Sequence, residues 1–351
     1  MTEQKLRVVL GWHMHQPEYR DPVSGEFRLP WTYLHAIKDY SDMAAHLEQV
    51  EGARAVVNFA PLLLEQLADY EAQIRAHLET QAALRDSMLA ALAAETYPRD
   101  PEQRLRIIDA ALRAHPDRLI GRYPAYRALA EQAQLIKASP KAAATVPDAF
   151  LADLVAWFHL AWMGETVKRG DRLLLALIEQ ERGYSLAQRR ELLRMTGHLV
   201  AGIVPRYRAL ALAGKVELSL TPYGHPIIPL LLDFNSAREA WPDVQLPAEP
   251  GYPGGAERAR WHFQRAFEVF EKNFGFRPRG CWCSEGGVSE ATLRLLAEQG
   301  FAWTATGQSV LGNSSQGQAP ADRPYRAAGI GVDCFFRDDE LSDRIGFQYR
   351  N

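Results

Sequence analysis

Residues 279–307 read RGCWCSEGGVSEATLRLLAEQGFAWTATG, and they hold one full unit of a parallel α/β protein. An apolar run at 279–285 has the length and composition of a strand. Ser289 is suited to cap a following helix that carries Leu293, Leu295 and Leu296, and Gly300 is suited to end it. FAWTATG at 301–307 then reads as the next strand. Strand, helix, strand is the connection that joins parallel neighbours. Within this unit Glu285 stands at the end of an apolar run and is followed by Gly286 and Gly287. That placement asks whether the carboxylate is an ordinary solvated group or a reactive one.

Four more runs have strand character: RVVLGWHMH (7–15), RAVVNFAP (54–61), KVELSLTP (215–222) and DCFFRD (333–338). Six strands are therefore expected. Between the second and third lies a helical region, roughly 62–212, whose pieces EQRLRIIDAALRAH and LVAWFHLAWMG are apolar at helical spacing. Phe263, Phe267, Phe270 and Phe274 mark another helix, with Gly275 as its terminator. The Pro- and Gly-rich LPAEPGYPGG (246–255) reads as a surface loop.

Charge and composition exclude several function classes. Forty Lys and Arg nearly balance 43 Asp and Glu, without a dense basic run, so neither nucleic acid nor an anionic membrane is expected as a partner. The amino terminus lacks a secretory pattern, and FLADLVAWFHLAWMG (150–164) is too short to span a bilayer and carries Asp153 and His159. A buried helix is expected there. Cys281, Cys283 and Cys334 make an odd count, which points to reduced thiols in a cytoplasm.

Parallel α/β folds bind ligands beyond the carboxyl ends of their strands. Residues two apart share a face, which groups Val9, Gly11, His13 and His15; Glu217, Ser219 and Thr221; Cys281, Cys283 and Glu285; and Cys334, Phe336 and Asp338. Each candidate has an ordinary structural reading beside its chemical one. Glu285 and the charged run RDDELSD (337–343) suit solvated surface, His225 in TPYGHPIIPL suits a turn between prolines, and Trp12, Trp282 and Trp303 suit a core rather than sugar platforms. Coincidence of polar groups at several strand ends weighs against all of these together.

Two chemistries remain open on spacing alone. In one, Glu285 and Asp338 flank a glycosidic bond as nucleophile and acid/base, working by double displacement if their carboxyls lie roughly 5 to 5.5 Å apart. Asp338 must then carry a proton when substrate arrives, which burial and the charge of Glu285 would favour. In the other, His13, His15, His225 and Asp338 hold a metal that activates water. A noncatalytic binding or regulatory remnant is the third possibility.

The residues also carry a family pattern. LGWHMHQPEYRDPVSGEFRLPWTYLHAIKDYSDMA resembles the opening of glycoside hydrolase family 57; VELSLTPYGHPIIPLL is similar to its second motif, GCWCSEGGVSEATLRLLAEQGFAWTATG to its third and FFRDDELSDRIGFQY to its fourth. LVAWFHLAWMGE also has the look of a family segment. The resemblance implies an incomplete (β/α)7 barrel over residues 1–351 with a helical insertion at 62–212, and a retaining mechanism on α-glucans without a metal or other cofactor. It implies that Glu285 is the nucleophile, Asp338 the acid/base, and His13, His15 and His225 the sugar-binding histidines, with Trp282 beside the nucleophile and Asp343 as the alternative acid. Cys283 departs from the proline or small residue often found there, and TATGQS lacks an acidic residue often found after the fifth strand. The family's fifth motif, an Asp-Gly-Glu-Asn-type strand end, does not occur before Asn351. The expectation is thus either a fragment of a longer enzyme, which is favoured and would have weak or no activity alone, or an open barrel with a bare strand-six edge.

Overall fold

The computed structural model describes residues 8–138 and 140–348. By backbone contacts they fall into two compact units, one of 1–17, 52–65 and 210–351 and one of 18–51 and 66–209. Arg7 of the expected first strand and Tyr349 of the expected fourth motif lie outside the described residues.

The first unit is built on a sheet. Its strands are β1 (Gly11–Met14), β2 (Ala55–Phe59), β3 (Val216–Leu220), β4 (Gly280–Trp282), β5 (Trp303–Gly307), β6 (Tyr325–Arg326) and β7 (Asp333–Arg337). Among the described residues the order is β1-β2-β3-β4-β5-β7-β6. Every neighbour pair is parallel except β6 with β7. The protein is therefore of the α/β class, and all six expected strands are present. The short β6 is an addition that corrects the expected bare edge. Tyr325 pairs with Cys334 and Arg326 with Asp333, and the Arg326 guanidinium donates to the Asp333 carboxylate at 2.8 Å. Phe335, farther along β7, stays exposed.

Helices cover this sheet for the reasons legible in the sequence. In helix Gly255–Phe274 the side chains of Phe263, Phe267, Phe270 and Phe274 are buried, each worth about 1.5–3 kcal/mol relative to exposure. Gly275 closes that helix in the left-handed region at φ 78°, its N–H donating to the Glu271 carbonyl. Ser289 accepts the Thr292 N–H at the start of helix Glu290–Glu298. Residues 246–253 form irregular, largely exposed chain before Gly254 and Gly255 open the helix.

The second unit is helical. Asp86, Asp100 and Asp171 cap helices Ser87–Ala93, Pro101–Ala111 and Arg172–Gln180 through side-chain oxygens. Helix Asp148–Trp162 is buried from Leu151 to its end, as expected of that apolar stretch. Its Asp153 carboxylate accepts the Gly183 and Tyr184 N–H groups. His159 is fully buried and neutral: Nδ1 donates to the Val155 carbonyl at 2.8 Å, and the Tyr33 hydroxyl donates to Nε2 at 3.0 Å. Among the described residues no helix is long and apolar enough to cross a membrane.

Candidate active site

Register across the first unit places a polar row on one face of the sheet. His13 of β1 stands opposite Asn58 of β2, and Asn58 opposite Ser219 of β3. The Asn58 amide sits at the hub. Its Oδ1 accepts from His13 Nδ1 at 2.7 Å and lies 2.7 Å from the Thr221 hydroxyl, while Nδ2 donates to Ser219 at 3.1 Å. The Thr221 hydroxyl also lies 3.0 Å from the Trp282 carbonyl, joining β3 to β4. Because Oδ1 can only accept, His13 holds its proton on Nδ1 and has Nε2 as its unprotonated nitrogen.

His15, just past β1, and His225 complete the group. The rings of His15 and His225 stack with centroids 4.1 Å apart and planes 14° from parallel. His13 is 5.5 Å from His15 and 5.6 Å from His225 by the same measure. One ring nitrogen from each of the three lies within 4.8 Å of the others. His13 keeps an open side to solvent but is packed by protein on the rest, and that desolvation is the largest cause lowering its pKa. Desolvation also lowers His225, and lowers His15 to about 4 with help from the two neighbouring rings. All three imidazoles are therefore neutral near pH 7, able to give and accept hydrogen bonds.

Glu285 reaches the same group from β4. After Trp282 the chain leaves the sheet in a tight turn, Ser284–Gly286, with Glu285 at φ 54° and Gly286 at φ 68°. The Gly286 carbonyl accepts from Thr306 of β5 at 2.5 Å, which ties the turn down. The carboxylate remains 78% exposed, and Oε1 lies 3.9 Å from His225 Nδ1. Of the two expected glycines, Gly286 is the one whose backbone demands it. Gly287 has an ordinary φ of −69°, and a Cβ there would stand 3.3 Å from the Ser284 carbonyl.

The other candidates divide. Trp282 shares the face of Ser219 and Thr221, as β3–β4 register requires. Trp12 lies on the face of buried Met14, opposite to His13. Trp303 lies at the amino end of β5, over Gly280, where its indole N–H donates to Glu217 at 2.6 Å. Asp338 is exposed just past β7, and its Oδ1 accepts the Leu341 N–H at 2.9 Å, capping helix Asp339–Asp343. The burial anticipated for it is not found. Asp343 is exposed at the far end of that helix. Asp338 is not among the groups whose ligand atoms converge with the three histidines.

Strand parity, taken literally, puts Glu285 with Cys281 and Cys283, but the turn at Ser284–Gly286 intervenes. All three cysteines are free and buried. Burial raises the Cys281 thiol well above its ordinary pKa and pushes Cys334 up to about 11, so both are core groups rather than nucleophiles. Asn58 was the functional-looking residue that sequence reading passed over. Its signal was an amide inside an otherwise apolar strand, a residue type depleted there.

The chain is similar to the α-amylase AmyC from Thermotoga maritima at 16% identity and TM-score 0.50, over 96% of this chain and 46% of that one. It is also similar to a branching enzyme from Pyrococcus horikoshii (17% identity, 95% of this chain, 47% of that one, TM-score 0.46). A branching enzyme from Thermococcus kodakaraensis gives 16% identity, 96% and 48% coverage and TM-score 0.47. The chain spans about half the length of these proteins. None of the curated proteins compared matches the sequence. The model of glycosyl hydrolase family 57 matches residues 9–351, from just before β1 onward, and the chain belongs to that family.

Proposed function

We propose that this chain carries the catalytic residues of a retaining, α-glucan-active enzyme, with Glu285 as nucleophile and Asp338 as general acid/base. The observation that carries the reading is the placement of Glu285. A strained turn presents its carboxylate to solvent beside three neutral imidazoles, inside a family model that covers nearly all of the chain.

In the first step Glu285 attacks the anomeric carbon while Asp338 protonates the departing glycosidic oxygen. In the second, Asp338 takes a proton from the acceptor hydroxyl, water or sugar, and the ester on Glu285 is displaced. With Oδ1 of Asp338 engaged by the Leu341 N–H, Oδ2 is the oxygen suited to hold the mobile proton. Register supports the pairing: Cys281, Thr304 and Cys334 stand on one line across β4, β5 and β7, and Glu285 and Asp338 each follow that line by four residues. Two strand spacings separate their anchor points by about 10 Å, a gap that two side chains leaning inward can narrow. His13, His15 and His225 would hydrogen-bond sugar hydroxyls, and Trp282 would stack beside the ring. The buried free thiols support a cytoplasmic location.

Glu285→Gln tests the assignment with maltoheptaose as substrate. A fall in turnover of roughly a thousandfold or more is expected when a covalent nucleophile is removed. Undiminished turnover eliminates it.

A further inference from the structure

We propose that His13, His15 and His225 also form a binding face for a divalent first-row transition metal, zinc in particular, which competes with sugar for the pocket. Three independent features point to it. The first is convergence: three imidazoles, two from the end of β1 and one from the chain after β3, bring one nitrogen each within 4.8 Å of the others. A tetrahedral ion with bonds of about 2.1 Å needs its ligand atoms about 3.4 Å apart, so the three must close by an ångström or so. The second is support behind the ligand. Asn58 Oδ1 accepts the His13 Nδ1 proton at 2.7 Å and is itself held by Ser219 and Thr221, which fixes the tautomer that leaves Nε2 to a metal. The third is His225, whose Nε2 is buried without a hydrogen-bond partner. Leaving such a nitrogen unpaired is unfavourable, and a metal bond would satisfy it.

The stack shows what must move. His15 and His225 lie face to face at 4.1 Å, so their planes do not meet at a common ion. His15 lies beyond the last residue of β1, and turning its side chain out of the stack breaks no strand pairing. Glu285, whose charge acts on His13 and His15, adds negative charge to the group. Neutral imidazoles favour copper, nickel and zinc over the hard cations magnesium and calcium.

Metal binding stands without the glycosidase assignment; only the competition with sugar rests on it. The experiment is calorimetric titration of the chelator-treated chain with zinc chloride and, separately, magnesium chloride. One equivalent of zinc is expected to bind and magnesium not to bind. His225→Gln and His13→Gln should each weaken zinc binding at least about tenfold, and Asn58→Asp, which makes His13 more basic, should strengthen it. Equal zinc affinity in the parent and both histidine variants, or equal binding of magnesium, would overturn the site. Excess maltoheptaose should weaken zinc binding. Zinc affinity lost in the histidine variants but indifferent to maltoheptaose would overturn the competition while leaving the metal face in place.

Discussion

His225 Nδ1 and Glu285 Oε1 lie 3.9 Å apart, and both residues hold left-handed backbones, at φ 57° and 54°. A left-handed non-glycine residue costs about 1–2 kcal/mol. The other three in the described residues, Gln81, Glu181 and Gln316, sit at turns or helix ends. Two that face each other in the chain beyond β3 and β4 are what a site that stores strain to aim its side chains would show.

Gly286→Ala isolates the turn from the carboxylate. The added Cβ finds ordinary contacts at 3.6 Å to Thr306, so crowding is not the obstacle; φ 68° is. We expect about 1–2 kcal/mol of destabilisation in urea unfolding, with a tenfold or greater fall in kcat as Glu285 is displaced. Unchanged kcat would show that the turn does not aim the carboxylate.

Trp282 and Trp303 should behave differently. Trp303 is committed to Glu217 and to the space over Gly280, so Trp303→Phe should leave KM for maltoheptaose within about twofold, at a stability cost of about 1 kcal/mol for the lost hydrogen bond. Trp282→Ala should raise KM roughly tenfold, about 1.4 kcal/mol. Steady-state kinetics on both variants checks the division; the reverse pattern would move the sugar to the amino end of β5.

Acid stability depends on His159 in the helical unit. Burial lowers its pKa to about 4 from 6.5, so the unfolded chain takes up the proton first as pH falls. Its contribution is fully present above pH about 6.5 and is lost on acidification toward 4, roughly 3 kcal/mol in all. Asp86 acts in the opposite sense: burial raises its pKa to about 6, so folding gains as pH falls through 6. Urea unfolding from pH 4 to 7 should show a flatter loss at low pH for His159→Leu than for the parent, and a steeper loss for Asp86→Asn. Parallel curves for parent and His159→Leu would refute the first of these.

Much of this was legible because local chemistry and the fold agree. Ser289, Gly275 and the four phenylalanines of helix Gly255–Phe274 do in the structure what their residue types suggest. What stayed hidden depends on pairing distant in sequence. Asn58 becomes a hub only because register sets it opposite His13 and Ser219, 45 residues before it and 161 after. Tyr325–Arg326 carries no strand pattern of its own and pairs because the chain doubles back onto β7. Parity failed at Glu285 because the chain has already left the sheet there, and a turn aims the side chain.

A covalent bond to Glu285 is the step on which the retaining mechanism turns. Treating the enzyme with a fluorinated glucosyl fluoride that slows the second displacement, then mapping the peptides by mass spectrometry, reads that bond directly. The label is expected on the peptide spanning 280–290, at Glu285, with the α-anomer as first product of the untreated reaction. A label on a different carboxylate, or a first product of inverted configuration, would contradict it.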